Sequence, residues 1–197
     1  MSKGEETRAA ILDKALAMAS KVGLGGLTIG NLAREMGMSK SGLFGHFESK
    51  ENLELQLLDR AVEKFVQKVI APALQEPRGI PRIRMLFESW LGWETLSSLP
   101  GGCPFVSMAN ELDDRPGPAR DRLAGYQKDW IEALGQSGRI AVEEGHFRSG
   151  IDLDLFAYEF YSIMLAYHHF SRLMRDSEAG HYARQSFERL LATSTPH

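Results

Sequence analysis

The chain has 197 residues, 43% of them hydrophobic and 25% charged, enough to bury a proper core as one domain or two small ones. A net charge of -3 excludes a protein that coats nucleic acid indiscriminately, and no run approaches the ~18 to 20 apolar residues of a membrane-spanning helix. The start, M-S-K-G-E-E-T-R, lacks the apolar stretch of a secretion signal, and the single Cys103 has no internal disulfide partner, so a cytoplasmic location is expected.

No alternating strand pattern lasts more than a few residues, and the expectation is an all-α protein of about nine helices. The first spans roughly 6–22, with Ile11, Leu12, Ala15, Leu16 and Ala19 on one stripe and Gly23 as its stop. Two very short helices follow around a glycine turn. Thr28 is a good N-cap, Leu27 and Leu32 stand at the two positions of a hydrophobic staple, and Gly37 suits the left-handed residue that ends a helix. Ser39 caps the next helix, which carries Lys40, Ser41, Phe44 and His46 where an ordinary buried helix would be apolar. Helices this short are marginal alone, and hydrogen-bonding groups on the second make the pair read as a helix-turn-helix with a recognition helix.

These residues carry a resemblance. The run S-K-S-G-L-F-G-H-F-E-S-K-E-N-L, from Ser39 to Leu53, resembles the recognition helix and following turn of the tetracycline-repressor (TetR) family. The aromatic Phe44, the pair His46-Phe47 and the run Ser49-Lys50-Glu51 fall at the family's offsets, and the amphipathic first helix matches as well. The resemblance covers roughly residues 5–65. It implies a DNA-binding domain over 1–50 and an effector-binding and dimerisation domain over 51–197. It also implies a homodimer on a palindromic operator and a small-molecule effector held between the helices of the body. Phe44 is a departure, because the family usually has tyrosine there.

Further along, a fourth helix is expected to begin after Ser49 and run to about Ala71, before Pro72, with Leu58, Ala61, Phe65 and Val69 on one face. A fifth is expected at about 82–99 and a sixth from Cys103, with Pro104 at its first position, to Leu112. A seventh at about 119–144 contains Gly125, Gly135 and Gly138, which point to close packing or a bend. An eighth at about 153–175 carries Phe156, Phe160, Ile163, Tyr167, Phe170 and Met174, and a ninth covers about 178–192. The tail Thr193–His197 is expected to fray.

Residues 1–50 hold seven Lys/Arg against five Asp/Glu and the remainder 16 against 21, so a small basic head joins an acidic body. That suits local phosphate contact. Lys40 and Ser41 are the expected base readers, and Gly42 lets the backbone approach. Thr28, Ser39, His46 and Lys50 are placed to grip phosphate, with Phe44 reaching a thymine methyl or a sugar. In the body, Trp90, Trp93, Phe105, Met108, Trp130, Tyr161, Met164 and His168 would suit an amphipathic pocket, although each fits ordinary core packing as well.

Adjacent His168 and His169 diverge by about 100° on a helix, and no His/Cys/Asp/Glu cluster has ligand spacing, so neither metal nor cofactor is expected. Cys103 reads as a small buried cap, or as a thiol activated at a helix start. An enzyme using it as nucleophile with a histidine base would leave residues 28–53 unexplained. The remaining rival is a dimeric adaptor without an effector.

Overall fold

The computed structural model describes residues 3–196, so His197 of the expected frayed tail lies outside the described residues. Among them the chain is all helical: α1 Lys3–Gly26, α2 Ile29–Glu35, α3 Lys40–Phe47, α4 Lys50–Phe65, a π-helical turn Val66–Ile70, α5 Ala71–Gln75, α6 Ile80–Glu94, α7 Pro104–Leu112, α8 Pro118–Glu143, α9 Leu153–Arg172 and α10 Ala179–Ser194. Counting α4, the π turn and α5 as one uninterrupted helical run gives the nine rods expected. The chain packs as two compact units, one holding the residues up to Phe65 with Thr95–Gly125, the other Val66–Glu94 with Tyr126 onward.

In the first unit α1 is broken where the sequence places its stop. Gly23 has φ 69°, a left-handed conformation cheap only for glycine, and Leu24–Gly26 form a further turn beyond it. Ile11, Ala15, Leu16 and Ala19 are buried against the inward faces of α4 and α7. The carboxylate of Glu111 on α7 accepts the Leu24 N–H at 2.7 Å and that of Gly25. On the other side of the break, Gly101 N donates to Ser20 Oγ at 3.0 Å, and a side chain on Gly101 would overlap the Ser20 carbonyl. The end of α1 is thereby fastened to α7 and to the loop before it. Cys103 is buried at the N-cap of α7 with Pro104 next, and its side chain makes no capping hydrogen bond.

In the second unit α9 lies against α10, and α8 meets α9 where Gly138 leaves room for Leu153 and Phe156. Phe87 of α6 stacks on Phe187 of α10 with centroids 4.1 Å apart, and Phe160 of α9 joins at 5.2 Å from Phe187. Around this aromatic centre run two exposed ion pairs, Arg84 with Glu188 and Arg184 with Glu88, each helix supplying one partner of either sign. Arg78 pairs with Glu143 and Glu144, and His146 Nδ1 accepts the first N–H of α6, from Ile80, at 3.2 Å.

Four expected boundaries are corrected. Pro72 does not end its helix. The π turn just before it, with hydrogen bonds reaching five residues back, lets the helical run continue to Gln75 with Pro72 in the first turn of α5. The helix expected to 99 stops at Glu94, followed by Thr95, Ser97 and Ser98, whose hydroxyls compete for backbone partners. The helix expected to about 175 ends at Arg172. The tail does not fray at Thr193 and Ser194, because Ser194 is buried and its carbonyl accepts the Arg148 N–H at 2.9 Å.

Candidate nucleic-acid interface and effector site

Local chemistry builds the α2–α3 pair. Thr28 Oγ1 accepts the Asn31 N–H at 3.1 Å, and the staple residues Leu27 and Leu32 are both buried. Replacing such a cap by alanine costs about 1 kcal/mol. At the other end Gly37 has φ 64°, and the bonds Met38 N to Ala33 O and Gly37 N to Arg34 O close both rings of a Schellman motif. Ser39 Oγ then accepts the Gly42 N–H at 3.0 Å and starts α3.

The two faces of α3 separate cleanly. Leu43 and Phe47 are fully buried, whereas Lys40, Ser41, Gly42, Phe44 and Gly45 are exposed. Phe44 is 48% exposed, an apolar ring left in water on a helix that has a core to bury it in. Thr28, Ser39 and Lys50 are exposed too, and His46 is half-buried with its ring 6.3 Å from that of Phe47. Thr28 uses a lone pair to cap, which leaves its hydroxyl hydrogen to donate outward, while Ser39 Oγ also shares a hydrogen bond with Ser41 Oγ at 3.2 Å. Lys40's chain end lies against Gly30 at the start of α2, and Lys50 Nζ is 3.5 Å from Glu54 Oε1. All seven DNA-contact candidates belong to the first unit.

The effector candidates divide. Trp90, Trp93 and Met164 of the second unit are buried, and Trp130, Tyr161 and His168 of the same unit are half-buried. Phe105 and Met108 are buried in the first unit, Phe105 edge-on to Phe65 at 5.7 Å. Within the second unit three polar groups emerge that composition did not single out. His168 Nδ1 meets Glu94 Oε1 at 2.8 Å, the Tyr161 hydroxyl donates to Gln127 at 2.7 Å, and Tyr167 stands edge-on to Trp90 at 5.9 Å. The signal for Glu94 was present: on α6 it continues the stripe Ile83, Phe87, Trp90, so a carboxylate takes an inward position. Burial pushes the Tyr167 phenol up and the Glu94 charge adds to it, with Arg184 and Arg172 pulling back.

α9 presents two apolar faces. Phe156, Phe160 and Met164 are buried, while Leu155, Tyr158, Leu165 and Phe170 are exposed, as are Leu173 and Met174 just beyond its end. Between α9 and α10 lies an open, mainly apolar groove of about 370 Å³, lined by Ile163, Ala166, Tyr167, Phe170, Tyr182 and Ala183 among others. Among the described residues no helix is long and apolar enough to cross a membrane, and no three His, Cys, Asp or Glu side chains come together as metal ligands.

Two family models match this chain: bacterial regulatory proteins of the tetR family over residues 11–57, and the tetracyclin repressor-like C-terminal domain over residues 79–187. The chain belongs to the TetR family. It is a DNA-binding transcriptional regulator and not an enzyme, as the family and its relatives are. The HTH-type transcriptional repressor KstR2 of Mycobacterium tuberculosis is 26% identical over 151 residues, 75% of this chain and 72% of that protein. A TetR regulator from Chloroflexus aurantiacus J-10-FL superposes with a TM-score of 0.86 at 25% identity, over 98% of this chain and 96% of that one. AibR in complex with isovaleryl coenzyme A and operator DNA has the same fold, with a TM-score of 0.71 at 18% identity over 96% and 98% of the two chains.

Proposed function

We propose that this TetR-family protein is a cytoplasmic homodimeric repressor, released from a palindromic operator by a small, mostly apolar effector. Residues 1–50 bind DNA, and residues 51–197 bind the effector and dimerise. The observation that carries the reading is α3, which buries Leu43 and Phe47 and turns Lys40, Ser41 and Phe44 to solvent. Lys40 and Ser41 read base edges and Phe44 touches a thymine methyl or sugar. Thr28, Ser39, His46 and Lys50 hold phosphates. The exposed apolar side of α9 and the groove beside α10 support dimerisation through these two helices, each protomer offering the same surface to its mate. That places two recognition helices on successive turns of DNA.

For the effector, Trp90, Trp93, Trp130, Tyr161, Met164 and His168, all of the second unit, supply apolar contact. His168, held by Glu94, orients one polar group. Relatives support this logic: KstR2 is a transcriptional repressor, and AibR has been seen with both an acyl-coenzyme A and operator DNA. The effector acts only through its different affinities for the DNA-binding and released states.

The test begins with selection of a duplex from a random-sequence library by the full-length protein. Enrichment of a palindrome bound by a dimer is expected. Enrichment of no sequence overturns the reading. A small-molecule screen for release of that duplex then separates a sensor from an adaptor, since an adaptor has no releasing compound.

A further inference from the structure

Glu54 lies one turn after Lys50 on α4 and buries its carboxylate, with 3% of the side chain exposed. A carboxylate taken out of water must keep a cation beside it. Two reach it, one at each oxygen: Lys50 Nζ is 3.5 Å from Oε1 and an Arg115 guanidinium nitrogen is 3.5 Å from Oε2. Oε1 accepts no hydrogen bond among the described residues, so Lys50 is held there by charge alone. Both cations are about half exposed, at 44% and 51% of their side chains. The buried anion is shared: with Arg115 on Oε2, Lys50 is only one of two counter-ions and is held less tightly than it would be alone. If Arg115 leaves, Lys50 is the remaining counter-ion.

Arg115 follows the C-terminus of α7, 4.0 Å from Glu111, the carboxylate that fastens Leu24 and Gly25 at the end of α1. We propose that Arg115 is a positioning residue for DNA binding: by sharing buried Glu54 it loosens the hold on Lys50, which can then grip a DNA phosphate, and its withdrawal draws Lys50 back. This rests on the reading of Lys50 as a phosphate ligand. It adds a control point outside the helix-turn-helix.

The test is a double-mutant cycle on the full-length protein, with binding to a random-sequence duplex titrated against salt. K50A should weaken binding and make the salt slope shallower by about 0.9 per protomer, the loss of one phosphate contact. R115M should reproduce most of that loss in the wild-type background and add nothing in the K50A background. The isosteric E54Q should tighten binding when Lys50 is present, do nothing when it is absent, and abolish the effect of R115M. It also carries the test should R115M melt early. Equal effects of R115M with and without Lys50 would mean that only its charge is felt through space, and would overturn the proposal. A K50A protein with an unchanged slope would bring down the phosphate assignment of Lys50 and the proposal with it. An altered K50A slope with an inert R115M sinks the proposal alone.

Discussion

His168 Nδ1 stands 2.8 Å from Glu94 Oε1, and the carboxylate is only 1% exposed, so α9 and the last residue of α6 are joined by a buried polar contact. The imidazole is one polar partner of Glu94, and a buried polar group that loses a partner pays part of its desolvation penalty. His168→Ala should lower unfolding stability by about 2 kcal/mol in urea, whereas Glu94→Gln, whose amide oxygen can still accept, should cost about half of that. Equal small losses for both variants would show that the contact is incidental to folding.

Tyr167 gives this region a spectroscopic reporter. Burial raises its phenol above the ordinary 10.0, and the Glu94 charge raises it further. The folded protein therefore keeps the phenolic proton longer than the unfolded chain. Stability from this group is intact below pH 10 and is lost as the pH climbs through the raised value. Tyrosinate absorbance should show one late-titrating phenol, moved part of the way back by Glu94→Gln because burial, the larger cause, remains. A phenol unmoved by that substitution would contradict the Glu94 contribution.

At the other sign stands Asp13 on α1, which accepts from Arg60 Nε at 2.7 Å and pairs with Lys64 at 3.1 Å, both on α4. Burial would raise its carboxyl, but hydrogen bonds from Arg60 and then Lys64 hold it below 3.8. The stability it supplies is present above that pH and is lost as the pH falls through the lowered value. Since the group is over a third exposed, Asp13→Asn should cost no more than about 1 kcal/mol at neutral pH. The difference from wild type should shrink in acid. A difference that persists below both values would point to packing rather than charge.

Phe44→Tyr restores the residue usual in the family at an exposed position of α3. A phenol adds one hydrogen bond to a phosphate without adding a cation. Binding to the selected duplex should tighten several-fold, about 1 kcal/mol, with an unchanged salt slope. A weaker complex would place Phe44 against a base or sugar that has no room for the hydroxyl.

Two glycines of α8 should behave oppositely. A methyl group on Gly125 meets nothing within 4 Å, so Gly125→Ala should raise stability by up to about 1 kcal/mol through helix propensity. At Gly138 the new carbon would lie 3.0 Å from Leu153 Cδ2 and Phe156 Cδ1. A larger side chain there, as in Gly138→Val, should destabilise by about 1 to 3 kcal/mol. Thermal melting of the two variants checks both signs.

How much of this was legible in the sequence depended on distance along the chain. The caps Thr28 and Ser39, the staple, the stop at Gly23 and the left-handed Gly37 are local chemistry, and all were readable within a few residues. So was the division of α3 into a buried and an exposed face, since a 3.6-residue period suffices. The partners of buried charges were not. Glu94 and His168 are 74 positions apart, and Arg115 reaches Glu54 from the loop after α7, so no spacing rule connects them. What the sequence does carry is the anomaly itself, an acidic residue on an apolar stripe, at Glu54 beside Leu53, Leu57 and Leu58 and at Glu94 beyond Trp90. The misplaced helix end at 99 and the unexpected passage through Pro72 have a different origin, because both turn on backbone competition that propensity averages over.

The ion pairs between α6 and α10 have a meaning apart from their small individual energies. Advancing four residues on α6, from Arg84 to Glu88, means retreating four on α10, from Glu188 to Arg184, so the helices run antiparallel with one charge of each sign per turn. Phe87 stacked on Phe187 sits inside this frame. Sliding α10 by one turn would bring Arg184 to face Arg84, setting like charges together beside an aromatic stack that has lost its mate. The four side chains thus act as a lock on alignment: they reject the neighbouring registers that two smooth apolar faces would tolerate.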